Sequence, residues 1–204
     1  MKKSLFFKTI FIILFLLLIL QNTKAIESKE LKKDTYYKVQ GKNVLFKKGK
    51  IDVYSDSGNI LSGTLAQDTV LMVQGKNVKF KGMISIYLYE NGNICSGGLA
   101  EDTILNAQGK DVMFMAGGYK GIKFYENGNI KEGDLVEDTV FIIQGKEVKF
   151  KREEIIFHEN GNVKKGTLAE GVKLKLENGT IMPLFSNYIV EINSKGQLVK
   201  YEQR

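Results

Sequence analysis

Apolar residues fall at alternate positions in short runs, and polar turns separate the runs. Ile122, Phe124 and Ile130 alternate with Lys123, Tyr125 and Lys131 around the turn Glu126-Asn127-Gly128. Successive side chains of a strand point to opposite faces, so this pattern predicts a hairpin with one apolar and one polar face. The same apolar positions recur as Ile86, Leu88 and Ile94, as Ile155, Phe157 and Val163, and as Val190, Ile192 and Leu198. Related turns are Glu90-Asn91-Gly92, Glu159-Asn160-Gly161 and Asp56-Ser57-Gly58. Asn tolerates turn dihedrals and Gly supplies a positive φ, so a three-residue loop is expected to pair Phe124 with Ile130.

A second kind of hairpin alternates with the first. Its turns run Gln40 to Lys42, Gln74 to Lys76, Gln108 to Lys110 and Gln144 to Lys146, each followed by Val-x-Phe, as in Val78/Phe80 and Val148/Phe150. The strand before the turn is apolar at consecutive positions, as in Val70-Leu71-Met72-Val73 and Val140-Phe141-Ile142-Ile143. Such runs predict strands buried on both faces. Linkers at Gly63 to Thr69, Gly97 to Thr103, Gly133 to Thr139 and Gly166 to Gly171 each carry a Leu expected to point inward. Ten glycines mark the turns: Gly41, Gly58, Gly75, Gly92, Gly109, Gly128, Gly145, Gly161, Gly179 and Gly196. Their spacing is close to 17 residues throughout.

The predicted fold is therefore all-β, an elongated repeat array of about ten β-hairpins. A β-solenoid with one coil per 17 residues is the alternative, but the two hairpin kinds place their first apolar residue at different distances from the glycine, as Ile94 and Val78 do. That offset spoils a strict ladder. Residues 26–203 are expected to form a single domain with irregular terminal units, at Ile26 to Tyr36 and at Lys173 to Ser186, which holds the only proline, Pro183.

The segment Phe124-Tyr125-Glu126-Asn127-Gly128-Asn129-Ile130-Lys131-Glu132-Gly133 resembles the MORN-variant repeat of bacterial proteins. The likeness recurs at Tyr87 to Gly97 and Phe157 to Gly166, and more weakly at Tyr54 to Gly63, all within the first hairpin kind. The Gln-Gly-Lys hairpin and the Leu-Ala-Glu-Asp-Thr linker depart from it. The longer unit is similar to repeats of exported proteins of AT-rich bacteria, spirochaetes among them. The resemblance implies an extended, twisted or curled sheet of hairpins used for protein or membrane contacts. It implies no catalytic residue.

Charge and the N-terminus change the picture in one respect. The formal charge of +7 includes Lys2, Lys3, Lys8 and Lys24, and beyond residue 25 there are 26 basic and 23 acidic residues. No clustered basic face is evident, so nucleic acid is not an expected partner. Lys2 and Lys3 precede the apolar run Ile10 to Leu20, and Thr23-Lys24-Ala25 follows. Residues 1–25 therefore read as a signal peptide, the run being too short to span a bilayer. The expected location is outside the cytoplasm: periplasm, outer surface or medium. Cys95 is the single cysteine, so no intrachain disulfide is expected.

Residue types that carry chemistry are sparse. His158, the only histidine, stands where Tyr89 and Tyr125 stand in sister hairpins. A metal site built on histidines is excluded. The pairs Glu101/Asp102 and Glu137/Asp138 recur in linkers, as turn residues would. No catalytic, metal or cofactor-binding residue is assigned. The candidate interaction surface consists of Tyr54, Tyr87, Tyr89, Tyr125 and His158, with Lys79, Lys81, Lys149 and Lys151 beside the Phe strands. Lys42, Lys76, Lys110 and Lys146 recur at the second turn kind, and stacking in register would make them a basic row. The expected function is an exported, non-enzymatic scaffold for a protein partner at the cell envelope. The alternative is an envelope-binding module for anionic lipid or cell-wall glycan through the lysine and tyrosine face.

Overall fold

A computed structural model describes residues 25–117 and 121–204. The segment expected to direct export lies outside these residues, apart from Ala25.

The described residues form 21 strands and no helix. Strand β1 (Ile26–Leu31) opens the fold. Four-strand units then follow: β2 (Thr35–Val39), β3 (Lys42–Phe46), β4 (Gly49–Tyr54), β5 (Ile60–Thr64); β6 (Thr69–Val73), β7 (Lys76–Phe80), β8 (Ser85–Leu88), β9 (Ile94–Gly97). The next two are β10 (Thr103–Ala107), β11 (Lys110–Phe114), β12 (Ile122–Phe124), β13 (Ile130–Asp134), and β14 (Thr139–Ile143), β15 (Lys146–Phe150), β16 (Glu154–Phe157), β17 (Val163–Thr167). The last is β18 (Val172–Lys175), β19 (Ile181–Leu184), β20 (Tyr188–Ile192), β21 (Leu198–Gln203).

The two hairpin kinds play different parts. The Asn-Gly kind builds one open antiparallel sheet of eleven strands, ordered β1-β4-β5-β8-β9-β12-β13-β16-β17-β20-β21. Each hairpin of the other kind stands as a separate two-stranded sheet and folds over one face of the long sheet. The array is thus elongated and hairpin-built, and it does not close into a barrel. All ten turn glycines have positive φ. At Gly128, φ is +85°, the loop closes through Tyr125 N–H to Asn129 C=O at 2.8 Å, and Phe124 pairs with Ile130.

The core lies between the layers. Phe46, Phe80, Phe114 and Phe150 and the linker leucines Leu65, Leu99, Leu135 and Leu168 are almost fully buried, and each Phe bridges its Leu in sequence order. The alternating apolar residues of the long sheet, such as Ile86, Leu88, Ile155 and Phe157, meet them from the other side.

Two expectations are corrected. Gly63, Gly97, Gly133 and Gly166 close sheet strands and do not begin linkers. They are glycines because of packing: a Cβ on Gly133 would lie 2.8 Å from Phe114 Cδ1, and the other three meet their Phe rings in the same way. The strand before each Gln-Gly turn is buried on one face only. Leu71 and Val73 are buried, whereas Met72 is 39% exposed and Ile142 51%. The hairpins form the outermost layer, so nothing within the described chain covers their outer face.

Candidate functional site

Three side-chain ladders run along the array, and each joins one repeat to the next. The first uses the aromatic residue before the Asn-Gly turn. Tyr54 donates to the Leu88 carbonyl at 3.1 Å, Tyr89 to Phe124 at 2.9 Å and Tyr125 to Phe157 at 2.8 Å. His158 Nε2 takes the same place toward the Ile192 carbonyl at 2.7 Å. A carbonyl only accepts, so Nε2 carries the proton. Burial, with the Glu159 charge, pushes the Tyr125 hydroxyl up; burial and Cys95 push Tyr89 up. Both stay neutral donors.

The second ladder belongs to the glutamines, which the sequence offered only as turn residues. Gln40, Gln74, Gln108 and Gln144 sit at φ of 50–55°, each followed by a glycine of positive φ. Each carboxamide reaches the next outer hairpin and holds one residue there by both backbone groups. Gln40 does so at Met72, Gln74 at Asn106, Gln108 at Ile142 and Gln144 at Lys175, at 2.7–3.0 Å. A side-chain amide here stands in for a neighbouring strand. The third ladder is made by Asn59, Asn93, Asn129 and Asn162, which donate to the next Asn-Gly turn at Glu90, Glu126, Glu159 and Ser194.

The linker acids also work on backbone. Asp34, Asp68, Asp102 and Asp138 accept from the N–H fourteen residues on, at 2.7–2.8 Å, and so clasp the two ends of each outer hairpin. Among the described residues, no group of three or more His, Cys, Asp or Glu side chains converges as metal ligands would.

The expected interaction residues are therefore split three ways. Tyr54, Tyr89, Tyr125 and His158 have their polar ends engaged within the fold. Tyr87, 48% exposed, lies on the open face of the long sheet, paired across strands with Ser62 and Ser96. Lys79 and Lys149 lie on the outer hairpin face, opposite Val70 and Val140, and pair with Asp68 at 3.9 Å and Glu170 at 2.9 Å. Lys151 bonds to Asn187, and Lys81 is exposed. The turn lysines are bridges more than a free row: Lys42, Lys110 and Lys146 reach carbonyls of the next hairpin, and Lys76 meets Asp111 at 2.9 Å. Burial holds Lys110 below its ordinary value.

Two surface features remain. Tyr36, Val70, Met72, Ile104, Met113 and Ile142 form an exposed apolar stripe along successive outer hairpins. The unbroken apolar run before each Gln-Gly turn suggested burial on both faces, but its outer side chains are exposed. The second feature is charge. Residues 26–50 carry eight lysines against three acids, while residues 51–204 carry 18 basic and 20 acidic residues. No helix among the described residues is long and apolar enough to cross a membrane. No family model, curated protein or solved structure matches the chain.

Proposed function

We propose that the protein is an exported, non-enzymatic repeat scaffold that presents its outer hairpin face to a protein partner at the cell envelope. The observation that carries this reading is the apolar stripe centred on Met72, Ile104 and Ile142. A soluble hairpin layer with no partner would favour polar residues there, because exposed apolar stripes on sheets invite association. The three ladders support the reading from another side, since they fix the spacing of equivalent side chains from repeat to repeat. The MORN-like segments agree with it. Substituting Met72, Ile104 and Ile142 by Ser removes the stripe without touching the core. The full chain and this variant are used as baits on envelope extract, with and without protease treatment of the extract. Loss of a protease-sensitive partner by the variant alone supports the scaffold. Equal capture by both baits counts against this face.

The charge distribution favours a second reading, contact with anionic lipid. Lys32, Lys33, Lys38, Lys47 and Lys48 in the first unit make no ion pair among the described residues, and its acid Asp34 is engaged by the Lys48 N–H. Binding to anionic vesicles that falls steeply with salt and is lost on Lys→Gln substitution at these five positions supports this reading. Salt-independent binding removes it.

A further inference from the structure

The two ends of the long sheet differ. Strand β1 carries charges on both faces: Glu27 and Lys29 stand opposite the buried Val53 and Ile51, on the core side, and Glu30 stands opposite Lys50 on the other. Strand β21 keeps its charges to one side. Lys200 and Glu202 stand opposite Glu191 and Ile189 on the open face, whereas Tyr201 stands opposite the buried Val190 on the core side. There the rings of Phe185, Tyr188 and Tyr201 form a row, with centroids 6.2 and 6.1 Å apart. Phe185 is 64% exposed and Tyr201 38%. In sister strands the position of Tyr201 is a glycine, as at Gly97 and Gly166, because the phenylalanine of the outer hairpin fills the space. In the last unit Leu184 takes the place of that phenylalanine, and the ring stands on the edge strand instead.

The backbone of β21 is free to take a further strand. Arg204 N–H donates to the Asn187 carbonyl at 3.2 Å, and Gln203 stands opposite Tyr188. Bonded and non-bonded pairs alternate along an antiparallel ladder, so Tyr201 and Gln203 direct their N–H and C=O groups away from β20. Among the described residues no strand lies on that side. A second β21, antiparallel and related by a two-fold axis, meets this edge only in registers two residues apart, since the outward groups must face each other. With Tyr201 opposite its own copy, each Lys200 lies opposite Glu202 of the other chain, twice by symmetry. The register on one side of this sets Lys200 against Lys200, and the register on the other sets Glu202 against Glu202; like charges directly opposite are unfavourable. Lys200 and Glu202 are 3.4 Å apart within the chain, but both are exposed, and such a pair contributes little that a cross-strand pair would forfeit.

We propose that the protein forms a two-fold dimer with a second copy of this chain through β21, joining two eleven-stranded sheets into one. The backbone supplies hydrogen bonds, the Lys200–Glu202 cross pairs fix the register, and the aromatic rows of the two copies meet at the seam. Such an interface is isologous and closes on itself, so it gives a dimer and not a fibre. Edge charges refuse a strand of arbitrary sequence, and an antiparallel copy of β21 is one they accept. A copy of β1 can set Glu27 against Lys29 as well, but those charges occupy the core side, where β21 has its rings. The contact uses the sheet edge and is independent of the apolar stripe on the outer hairpin face.

The test is sedimentation equilibrium of the full chain from about 1 to 300 µM, with amide hydrogen exchange at both ends of that range. One strand pair and an aromatic row make a small interface, so a dissociation constant of about 10–100 µM is expected. In the dilute sample the Tyr201 amide exchanges as an edge amide; in the concentrated one its exchange is expected to slow about threefold or more. Glu202→Lys sets lysine against lysine across the seam and is expected to weaken the dimer about tenfold. Adding Lys200→Glu to the same chain restores opposite charges in reverse order and is expected to recover it. A monomer throughout the range overturns the proposal. So does Tyr201 exchange indifferent to concentration, a readout that needs no variant. A dimer that Glu202→Lys leaves intact, or a loss that the charge swap does not recover, also overturns it. Association abolished by Lys29→Glu places the contact on β1 and does the same.

Discussion

At the scale of single residues, the glutamines show two demands in conflict. A two-residue hairpin turn with both φ values positive suits Asn before Gly. Here the first position is Gln, at φ +53° for Gln108. A left-handed residue of this kind costs on the order of 1 kcal/mol. Gln is one methylene longer than Asn, and that reach lets its amide hold both backbone groups of Ile142 at 2.8 Å. Gln108→Ala is expected to lower stability by about 1–2 kcal/mol in urea unfolding, two neutral hydrogen bonds. Gln108→Asn is expected to destabilise as well, although Asn fits the dihedral better; a gain in stability would show that the turn dominates. His158 gives the matching case in the other ladder. Its Nε2–H does the work of a tyrosine hydroxyl, so His158→Tyr is expected to fold with little change. His158→Phe leaves the Ile192 carbonyl without its donor and is expected to cost about 1 kcal/mol, measured in the same way.

At the scale of elements, each repeat is locked by one ring and one missing side chain. Gly133→Ala places a methyl 2.8 Å from Phe114 Cδ1, inside contact distance. The expected loss is about 1–3 kcal/mol of overpacking. Phe114→Leu in the same chain makes room, so the double variant is expected to be more stable than the two separate losses add up to. Additive losses in a double-mutant cycle would separate the two positions. The edge strand β1 is held differently. Asp52 accepts from Ser28 on β1 at 2.6 Å and from Ser62 on β5 at 3.0 Å. Those hydroxyls, with Lys50 nearby and despite some burial, hold its carboxyl below the ordinary aspartate value. A depressed folded-state value means the contribution is complete above the unfolded aspartate value, near pH 4, and is lost as pH falls through the lower folded value. Acid titration of stability is thus expected to flatten in Asp52→Asn, and an unchanged slope would remove Asp52 from the edge.

At the scale of the whole molecule, the contacts run from each repeat to its neighbours, so stability is passed along the array. Among the described residues the sheet has two edge strands without a further partner, and both are charged: β1 carries Glu27, Lys29 and Glu30, and β21 carries Lys200 and Glu202. Charges on an edge discourage further strand pairing. Hydrogen exchange is expected to be fastest in β1 and β21 and slowest around β8, β9, β12 and β13, which have sheet neighbours on both sides. Uniform protection would mean a single cooperative unit. The last outer hairpin ends the glutamine ladder by its own sequence. Its turn, Leu176 to Thr180, has no Gln, and it closes as an Asn-Gly loop through Leu176 N–H to Thr180 C=O at 2.8 Å.

The hairpins, their turn glycines, the core face of each sheet strand and the inward leucines were all legible in the chain. They depend on period-two alternation and on φ preferences, which act within a few residues. The candidate surface was not legible in the same way. Tyr89 and Tyr87 are two positions apart and share a face by strand parity, yet Tyr89 belongs to a turn and bonds forward to Phe124, while Tyr87 stays in the open. The reach of Gln40, Gln74, Gln108 and Gln144, the clash that keeps Gly133 a glycine, and the uncovered side of Met72 and Ile142 all involve residues tens of positions apart. The sequence by itself determined the repeat and its turns, because those are local conformational preferences. Only the tertiary structure decided which polar groups were consumed in joining repeats and which faces were left exposed, because both depend on how the outer hairpins stack on the long sheet.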